Sequence, residues 1–217
     1  MYRTRLILPL VSPLPNVVIA DDTHPLGMKP FRRPYKLTRD WASQYTPLWE
    51  KVYAPFKGKP NVAYLEVGCF EGGSIVWMLE NILTDPTARV TAIDPFLGSY
   101  KDTYYENLAL SGAAEKVVTI SDYSQRALRG LPWDSFDIIY IDGSHVKESV
   151  LEDAVLSWRL LRRGGLLVFD NYRLVEETRV PGIFACPKLA IDPFVQCFDR
   201  YFEVIHNSEQ VILRRKD

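Results

Sequence analysis

The stretch VAYLEVGCFEGGS, residues 62–74, has the pattern of a buried strand that runs into a glycine-rich turn. Similar short apolar runs recur along the chain, and helical patterns of apolar residues separate them. The further runs lie at residues 89–95, 116–121, 136–142 and 165–170, and the helical patterns at 72–83, 101–112, 123–130 and 146–162. Strands that alternate with helices are typical of a mostly parallel sheet with helices on both faces. The sequence therefore predicts a doubly wound, Rossmann-like α/β fold.

Two more strand-like segments lie near the C-terminal end, YFEVIH (201–206) and QVILRR (210–215), after a helical pattern near 188–200. The polar residues 206–209 between them form a short connection of the kind found in hairpins. Adjacent strands joined by a hairpin are antiparallel. We therefore predict a mostly parallel, seven-stranded sheet that ends in an antiparallel C-terminal hairpin.

The N-terminal part, residues 1–57, is predicted to be an arm followed by a helix, and residues 58–217 the main domain. Apolar and aromatic residues from Trp41 to Phe56 recur at helical spacing, and Thr38 is a candidate N-cap. This helix is expected to pack on the core, although it could also form a lid over a pocket or an interface between two copies of the chain.

The first residues have some features of a signal peptide, because Arg3 and Arg5 precede an apolar stretch. Three prolines interrupt that stretch at positions 9, 13 and 15, and a helical signal segment tolerates proline poorly. An extended arm is therefore the favoured interpretation.

Composition excludes several functional classes. The chain has 217 residues, which suits one domain, with 47% apolar residues and a net charge of −1. This charge argues against nucleic acid or an anionic membrane as the main partner, and no apolar run reaches the ~20 residues that span a bilayer. Three widely spaced cysteines without a CxxC pair indicate a reducing compartment, so we expect a cytoplasmic protein.

Ligands of open α/β sheets bind at the carboxyl ends of the strands, so the residues just after each strand are candidates for the site. The first strand leads into Gly68, Gly72 and Ser74, with the spacing G-x-x-x-G rather than the G-x-G-x-x-G that seats a dinucleotide. The second strand ends in Asp94, which follows Gly72 by 94 − 72 = 22 residues. An acid at about this distance accepts hydrogen bonds from ribose hydroxyls, so the pair predicts a nucleoside site. Taken alone, the glycine-rich stretch and Asp94 could each instead form only a structural turn.

The fourth and fifth strands end in YIDGSH and FDNY, which bring Asp142, Asp170 and Asn171 to one edge of the sheet. Two carboxylates and an amide are suitable ligands for a hard divalent cation such as Mg²⁺. The alternative is that Asp170 caps a turn in which Asn171 is left-handed. His145 lies three residues after Asp142 and is a candidate general base near neutral pH.

Taken together, EVGCFEGGS, IDP, YSQ and the two acidic strand ends resemble class I S-adenosylmethionine-dependent methyltransferases, specifically the cation-dependent O-methyltransferases of the catechol and caffeoyl-CoA type. The resemblance covers roughly residues 60–172 and implies that 58–217 is a methyltransferase domain. It implies that EVGCFEGGS and Asp94 surround the methionine and ribose of the cofactor. It also implies that the Ser-Gln pair contacts adenine and that the acidic strand ends hold a divalent cation. The implied cofactor-binding residues are Glu66, Gly68, Phe70, Gly72, Ser74, Asp94, Ser124, Gln125 and Asp142; the implied metal ligands are Asp142, Asp170 and Asn171.

One position departs from the catechol-type pattern, since His145 stands where that family has a catalytic lysine. Here the chain is similar to bacterial tailoring methyltransferases that use a histidine base with a metal. The resemblance thus implies methyl transfer from S-adenosylmethionine to a hydroxyl of a small-molecule acceptor, with His145 as the base. Metal-independent N- or C-methylation and a non-catalytic nucleoside-binding role stay open, because fold does not determine chemistry. A nicotinamide-dependent oxidoreductase would leave the convergence of the three strand-end residues unexplained.

The acceptor itself is not encoded in any motif. Four aromatic residues could line its pocket, although packing in the core or on the surface is the more common role of such side chains. They are Trp41, Tyr45, Tyr172 and Phe184.

Overall fold

The computed structural model describes residues 34–178 and 182–216. The signal-peptide-like pattern and nearly all of the proline-rich arm therefore lie outside the described residues. In the described part of the chain, no helix is long and apolar enough to cross a membrane.

Strands and helices alternate through the middle of the chain as the sequence predicts. In chain order they are α1 (Thr46–Val52), β1 (Ala63–Val67), α2 (Gly73–Asn81), β2 (Arg89–Ile93), α3 (Lys101–Leu110), β3 (Val117–Ile120), α4 (Ser124–Ala127), β4 (Phe136–Ile141), α5 (Lys147–Ser157), β5 (Leu161–Phe169), β6 (Glu176–Glu177), β7 (Phe184–Ala185), α6 (Lys188–Cys197), β8 (Phe202–Asn207) and β9 (Val211–Arg215). Short 3₁₀ turns occur at Ser43–Tyr45, Ala54–Phe56, Ala114–Lys116 and Leu128–Gly130.

Seven of the strands form one sheet in the order β3-β2-β1-β4-β5-β9-β8. The first five strands in this order run parallel to one another, whereas β9 is antiparallel to both β5 and β8. This confirms the predicted doubly wound sheet with a C-terminal antiparallel hairpin. The strand order reverses between β1 and β4, and a crevice for ligands is expected at such a switch point.

The register of the central strands determines which residues meet at the edge of the sheet. Val67 at the end of β1 pairs with Ile93 of β2 and with Ile141 of β4. Ile141 in turn pairs with Phe169 of β5. The next residues along the chain, Gly68, Asp94, Asp142 and Asp170, therefore leave the sheet side by side.

Two apolar clusters cover the two faces of the sheet, because side chains of a strand alternate between its faces. One cluster joins α2 and the N-terminal residues Trp49 and Tyr53 to the face that carries Tyr64 and Ile138. The other joins α5 and α6 to the face that carries Leu65 and Ile139. The N-terminal segment thus packs on the sheet, while the division of the chain at residue 57 stays a prediction.

The N-terminal helix is shorter than its pattern predicts. Thr38 does not cap it; its backbone N–H and hydroxyl instead donate to the Glu71 carboxylate at 2.7 and 2.9 Å. The α-helix covers only Thr46–Val52, with Pro47 in its first turn. Pro55 follows, and it cannot donate the backbone hydrogen bond that a continuing helix needs.

The connection of the C-terminal hairpin begins two residues later than predicted, and one small sheet was not predicted. His206 and Asn207 belong to β8, and the register shift between Val204 and His206 absorbs an extra residue in this strand. The antiparallel pair β6–β7 lies between β5 and α6, where the sequence predicts no strand. Ala185 of this pair also bridges to Val146, so the small hairpin lies next to His145.

Candidate active site

A cavity of about 730 Å³ opens where β1, β2, β4 and β5 end, as the switch point predicts. Its lining contains most of the site residues predicted from the sequence. Those present are Gly68, Phe70, Asp94, Ser124, Gln125, Asp142, His145, Asp170 and Asn171. Ser74 faces an adjacent smaller pocket instead, and Glu66 and Gly72 border neither of the two.

Gly68 lets the loops after β1 and β4 approach each other closely. Its φ of +82° is unfavourable for other residues, and a Cβ placed there would lie 2.3 Å from the carbonyl oxygen of Asp142. Gly72, with a φ of +81°, is the N-cap residue of α2 and faces Tyr104 rather than the cavity. The first glycine therefore shapes the cavity, and the second shapes the turn behind it.

Glu66 lies beneath this loop and is fully buried. The hydroxyls of Tyr64 and Ser74 each donate a hydrogen bond to its carboxylate at 2.5 Å. Burial raises the pKa of Glu66 to about 8, because a charged carboxylate is poorly solvated there. In this arrangement Glu66 orients Ser74, which in turn faces the smaller pocket.

Asp94 organises the loops on the opposite side of the cavity. One carboxylate oxygen accepts hydrogen bonds from the backbone N–H groups of Cys69 and Phe70 at 3.0 and 3.1 Å. The other accepts from the N–H of Phe96 at 2.7 Å and from the hydroxyl of Tyr100 at 3.1 Å. Four donors fill the usual capacity of a carboxylate, so a ribose hydroxyl would have to displace one of them, and Tyr100 is the side-chain donor.

Phe70 and Phe96 have φ angles of +45° and +50°, which are rare for aromatic residues. Their N–H groups both bind Asp94, so this one carboxylate stabilises two strained positions. The Phe70 ring packs against Tyr100 and Trp41, with ring centroids 4.7 and 5.3 Å apart. The result is an aromatic wall beside Asp94.

The loops after β4 and β5 bring His145, Asp142 and Asn171 together. Nε2 of His145 lies 3.4 Å from Oδ1 of Asp142 and 3.2 Å from Nδ2 of Asn171. Nδ2 of Asn171 also donates to Oδ1 of Asp142 at 2.8 Å. The imidazole nitrogen thus has an amide donor for its neutral form and a carboxylate acceptor for its protonated form.

The same contacts shift the pKa values of the cluster. Burial and the nearby Asp170 charge raise the pKa of Asp142 to about 7. The hydrogen bond to Asp142 raises the pKa of His145 above its usual value of 6.5. These contacts favour the protonated imidazole more than water does, whereas a bound cation would oppose protonation.

Asp170, the buried acid at the end of β5, is held by several donors of the protein. One oxygen accepts from the Tyr140 hydroxyl and from Nε2 of Gln210 at 3.1 Å, and the other from the Asn171 N–H at 2.6 Å. Trp49 donates to the Gln210 side chain at 2.9 Å, which links the N-terminal helix to this acid. Asn171 has a φ of +57°, so the left-handed turn that was the alternative to a metal site is present.

Within residues 34–178 and 182–216, no group of three or more His, Cys, Asp and Glu side chains is arranged to hold a metal ion. The predicted metal ligands are two carboxylates and the amide of Asn171, so they are not a group of this kind. No hydrogen-bond donor among the described residues contacts Oδ2 of Asp142 or Oδ1 of Asn171. These two oxygens, with the Asp170 charge beside them, fit a hard cation by their chemistry. The metal site therefore stays a prediction.

Two of the four aromatic candidates line the cavity, Trp41 and Tyr45. Tyr172 instead donates its hydroxyl to Asp192 at 2.7 Å and receives a hydrogen bond from Lys188. Phe184 lies outside the cavity with its side chain more than half exposed.

Sequence reasoning missed several residues that shape the site. Tyr140 and Gln210 bind Asp170, and Arg39, Gln44 and Tyr100 line the cavity. Tyr140 could have been found, because it stands two residues before Asp142 and the strand period places both on one face. Gln210 carries no local signal except that it is a polar residue at the start of an apolar strand.

Comparison with known proteins identifies the domain. Residues 65–172 match a family model described as a methyltransferase domain. An uncharacterized protein of Acanthamoeba polyphaga mimivirus is 30% identical over 122 residues, which cover 53% of each chain. The chain thus spans about half the length of the curated relative that it matches.

Solved structures with a similar fold include the O-methyltransferase TomG from Streptomyces achromogenes, which is involved in tomaymycin synthesis and was solved in complex with S-adenosylmethionine. It has a TM-score of 0.63 and 19% identity over 82% of each chain. The cofactor-bound protein Rv0187 from MTB has a TM-score of 0.62 and 19% identity over 85% of this chain and 84% of its own. At such identities the likeness shows a shared fold.

Proposed function

We propose that this chain is an S-adenosylmethionine-dependent methyltransferase and that it transfers the methyl group of that cofactor to a hydroxyl of a small-molecule acceptor. The observation that carries the proposal is the cluster of His145, Asp142 and Asn171 on the cavity wall. An imidazole with both a donor and an acceptor beside it is equipped to take up a proton and to release it.

The cavity itself supports a small acceptor. Its volume of about 730 Å³ is in the range of small-molecule sites, about 300–1,000 Å³. Cofactor and acceptor would have to share this space. The N-terminal segment contributes Trp41 and Tyr45 to the wall, and the segment around β6 contributes Leu174 and Glu176.

In O-methylation the acceptor oxygen attacks the methyl carbon while the bond from that carbon to sulfur breaks, and the oxygen loses its proton. The products are a methyl ether and S-adenosylhomocysteine. We assign the proton to Nε2 of His145, where the acceptor hydroxyl would take the place of the Asn171 amide. Asp142 then accepts the hydrogen bond of the imidazolium, and its charge stabilises that product. Most of the remaining rate enhancement would come from positioning of the two reactants.

The proposal also includes a bound divalent cation. Asp142 and Asn171 would hold it through their free oxygens, with Asp170 as the second negative charge. Such a cation would lower the pKa of the acceptor hydroxyl.

The test of the proposal is a screen of hydroxyl-bearing metabolites with methyl-labelled S-adenosylmethionine, with the product identified by mass spectrometry and NMR. With an acceptor in hand, His145→Ala and His145→Gln should each lower kcat by about 10²–10⁴ and leave cofactor affinity unchanged. His206→Ala is the matched control, because His206 lies in β8 and does not line the cavity.

Without added divalent cation the parent rate should rise with pH, since His145 must be neutral to accept the proton, and the midpoint should lie above pH 6.5 because the hydrogen bond to Asp142 raises the pKa of His145. Full turnover by both His145 variants would refute the role of the imidazole. A product methylated on nitrogen or carbon would refute the hydroxyl acceptor and support the metal-independent alternative.

The remaining expectations belong to the same proposal. A cytoplasmic location is supported by Cys69, Cys186 and Cys197, which are all unpaired. We retain a homodimer as an open prediction, together with the expectation that neither nucleic acid nor a membrane is a partner.

A further inference from the structure

The lining of the two pockets is strongly unbalanced in charge. Acidic side chains border them from five different parts of the chain: Asp40, Glu71, Asp94, Asp142, Asp170 and Glu176. Among the described residues that line either pocket, Arg39 is the one with a permanent positive charge, and it lines both. His145 is the remaining group that can become cationic.

The backbone just before Arg39 is anchored on the glycine-rich loop, and the backbone just after it forms a local turn. Thr38 makes two hydrogen bonds to Glu71, which belongs to that loop. On the other side, the Asp40 carboxylate accepts a hydrogen bond from the N–H of Ser43 at 3.0 Å. The side chain of Leu37 lies against Gly73, 3.5 Å from the position of a Cβ. Arg39 is therefore held over the loop rather than displayed on a free strand.

The Arg39 guanidinium lies 5.7 Å from the centre of the Trp41 ring, which packs on Phe70. No acidic side chain among the described residues forms an ion pair with it. The smaller pocket that it borders also contains Gly68, Gly73 and Ser74. A guanidinium without an acidic partner among the described residues thus borders the part of the site that the glycine-rich loop encloses.

We propose that Arg39 binds the α-carboxylate of the methionine part of S-adenosylmethionine. The cofactor carries two positive groups, the sulfonium and the α-ammonium, and one negative group, the α-carboxylate. The acidic lining attracts the first two and would repel the third. A guanidinium can offer the carboxylate two parallel N–H donors, which a lysine cannot. Arg39 would then determine which way the methionine part lies, and the chain would reject analogues that lack the carboxylate.

This inference rests on the cofactor alone, and it is independent of the acceptor and of O-methylation. The experiment compares S-adenosylmethionine with decarboxylated S-adenosylmethionine, which lacks only the α-carboxylate. Calorimetry measures the affinity of both for the parent protein, for Arg39→Ala and Arg39→Lys, and for Lys36→Ala. Lys36 is the matched control, because it lies in the same segment, is exposed, and pairs with Glu106 outside the two pockets.

The parent should bind the complete cofactor more tightly than the decarboxylated one. Arg39→Ala should weaken the binding of S-adenosylmethionine by about 10- to 100-fold, the range for a lost charge-assisted pair. It should change the affinity for the decarboxylated analogue by less than about threefold. Arg39→Lys should fall between the parent and Arg39→Ala, and Lys36→Ala should match the parent. Melting temperatures of all variants check that the fold is retained.

Equal weakening of both ligands by Arg39→Ala would overturn the inference, since the residue would then act through packing on Trp41. A parent protein that binds both ligands equally well would overturn it as well.

Discussion

Asp153 on α5 carries a carboxylate that the fold buries completely, and replacing it with Asn should stabilise the protein. Among the described residues, neither oxygen has a hydrogen-bond partner in good geometry, and the Ser157 hydroxyl one turn later is also buried without one. The nearby Ser124 side chain offsets only part of the burial. Burial therefore raises the pKa of Asp153 from 3.8 to about 7.

The size of the stabilisation expected from Asp153→Asn and its dependence on pH follow from this pKa shift. The folded state holds the Asp153 proton more tightly than the unfolded state, so the free energy of unfolding falls as pH rises from about 4 to about 7 and stays low above that. A shift of roughly 3 units corresponds to about 4 kcal/mol at most, at 1.36 kcal/mol for each unit. On the same scale, the pKa shift destabilises the folded state by about 1.5 kcal/mol at pH 5. Asp153→Asn should therefore raise the free energy of unfolding by roughly 2–3 kcal/mol more at pH 8 than at pH 5.

Urea unfolding of the parent and of Asp153→Asn at pH 5 and pH 8 measures this difference. Glu152→Gln is the matched control, because Glu152 is the neighbouring acid, is only half-buried, and forms an ion pair with Arg129 at 2.6 Å. This control should change stability little at either pH. The reasoning would be refuted if Asp153→Asn changed the free energy of unfolding equally at both pH values.

Two more predictions concern ligands. Asp94→Asn should weaken S-adenosylmethionine binding by about 1.5–3 kcal/mol, as for the one charge-assisted hydrogen bond that a ribose hydroxyl gains when it displaces Tyr100. Tyr100→Phe should keep or improve the affinity, because its hydroxyl is the side-chain donor that a ribose would displace. Calorimetry measures both, and unchanged affinity in a folded Asp94→Asn protein would contradict the assignment. Mg²⁺ should raise the melting temperature of the parent in a concentration-dependent way, and Asp142→Asn should abolish the rise, because Oδ2 of Asp142 is the carboxylate oxygen without a protein donor. A rise that survives in Asp142→Asn, or none in the parent, would contradict the cation site.

The strands of the sheet and the residues at their ends could be read from the sequence. The runs that form β1, β2, β4 and β5 each stop at a glycine or an acid, and the register from Val67 to Ile93 and Ile141 brings these ends to one edge. Hydrophobic periodicity and the known behaviour of parallel strands are sufficient for this, because both depend on local spacing. The same reasoning found Asp142, His145 and Asn171, since each lies within a few residues of a strand end.

The partners of the buried groups could not be read in this way. Gln210 binds Asp170 from 40 residues along the chain, and Trp49 reaches Gln210 across 161 residues. No local pattern specifies such pairs, because they arise only when separate elements pack against one another. For the same reason the path of the segment around Arg39, anchored on Glu71, had no signal in the sequence.

The sequence by itself determined the α/β fold, the edge of the sheet where the site lies, and the residue types available there. Tertiary structure decided what those residues do. It buried Glu66 beneath the loop, gave Asp94 four protein donors, and compensated Asp170 with donors from β4, from Gln210 just before β9, and from the backbone. The physical reason is that spacing along the chain sets the period and the exposure of a side chain, whereas its charge state and orientation depend on neighbours that only folding brings within hydrogen-bond distance.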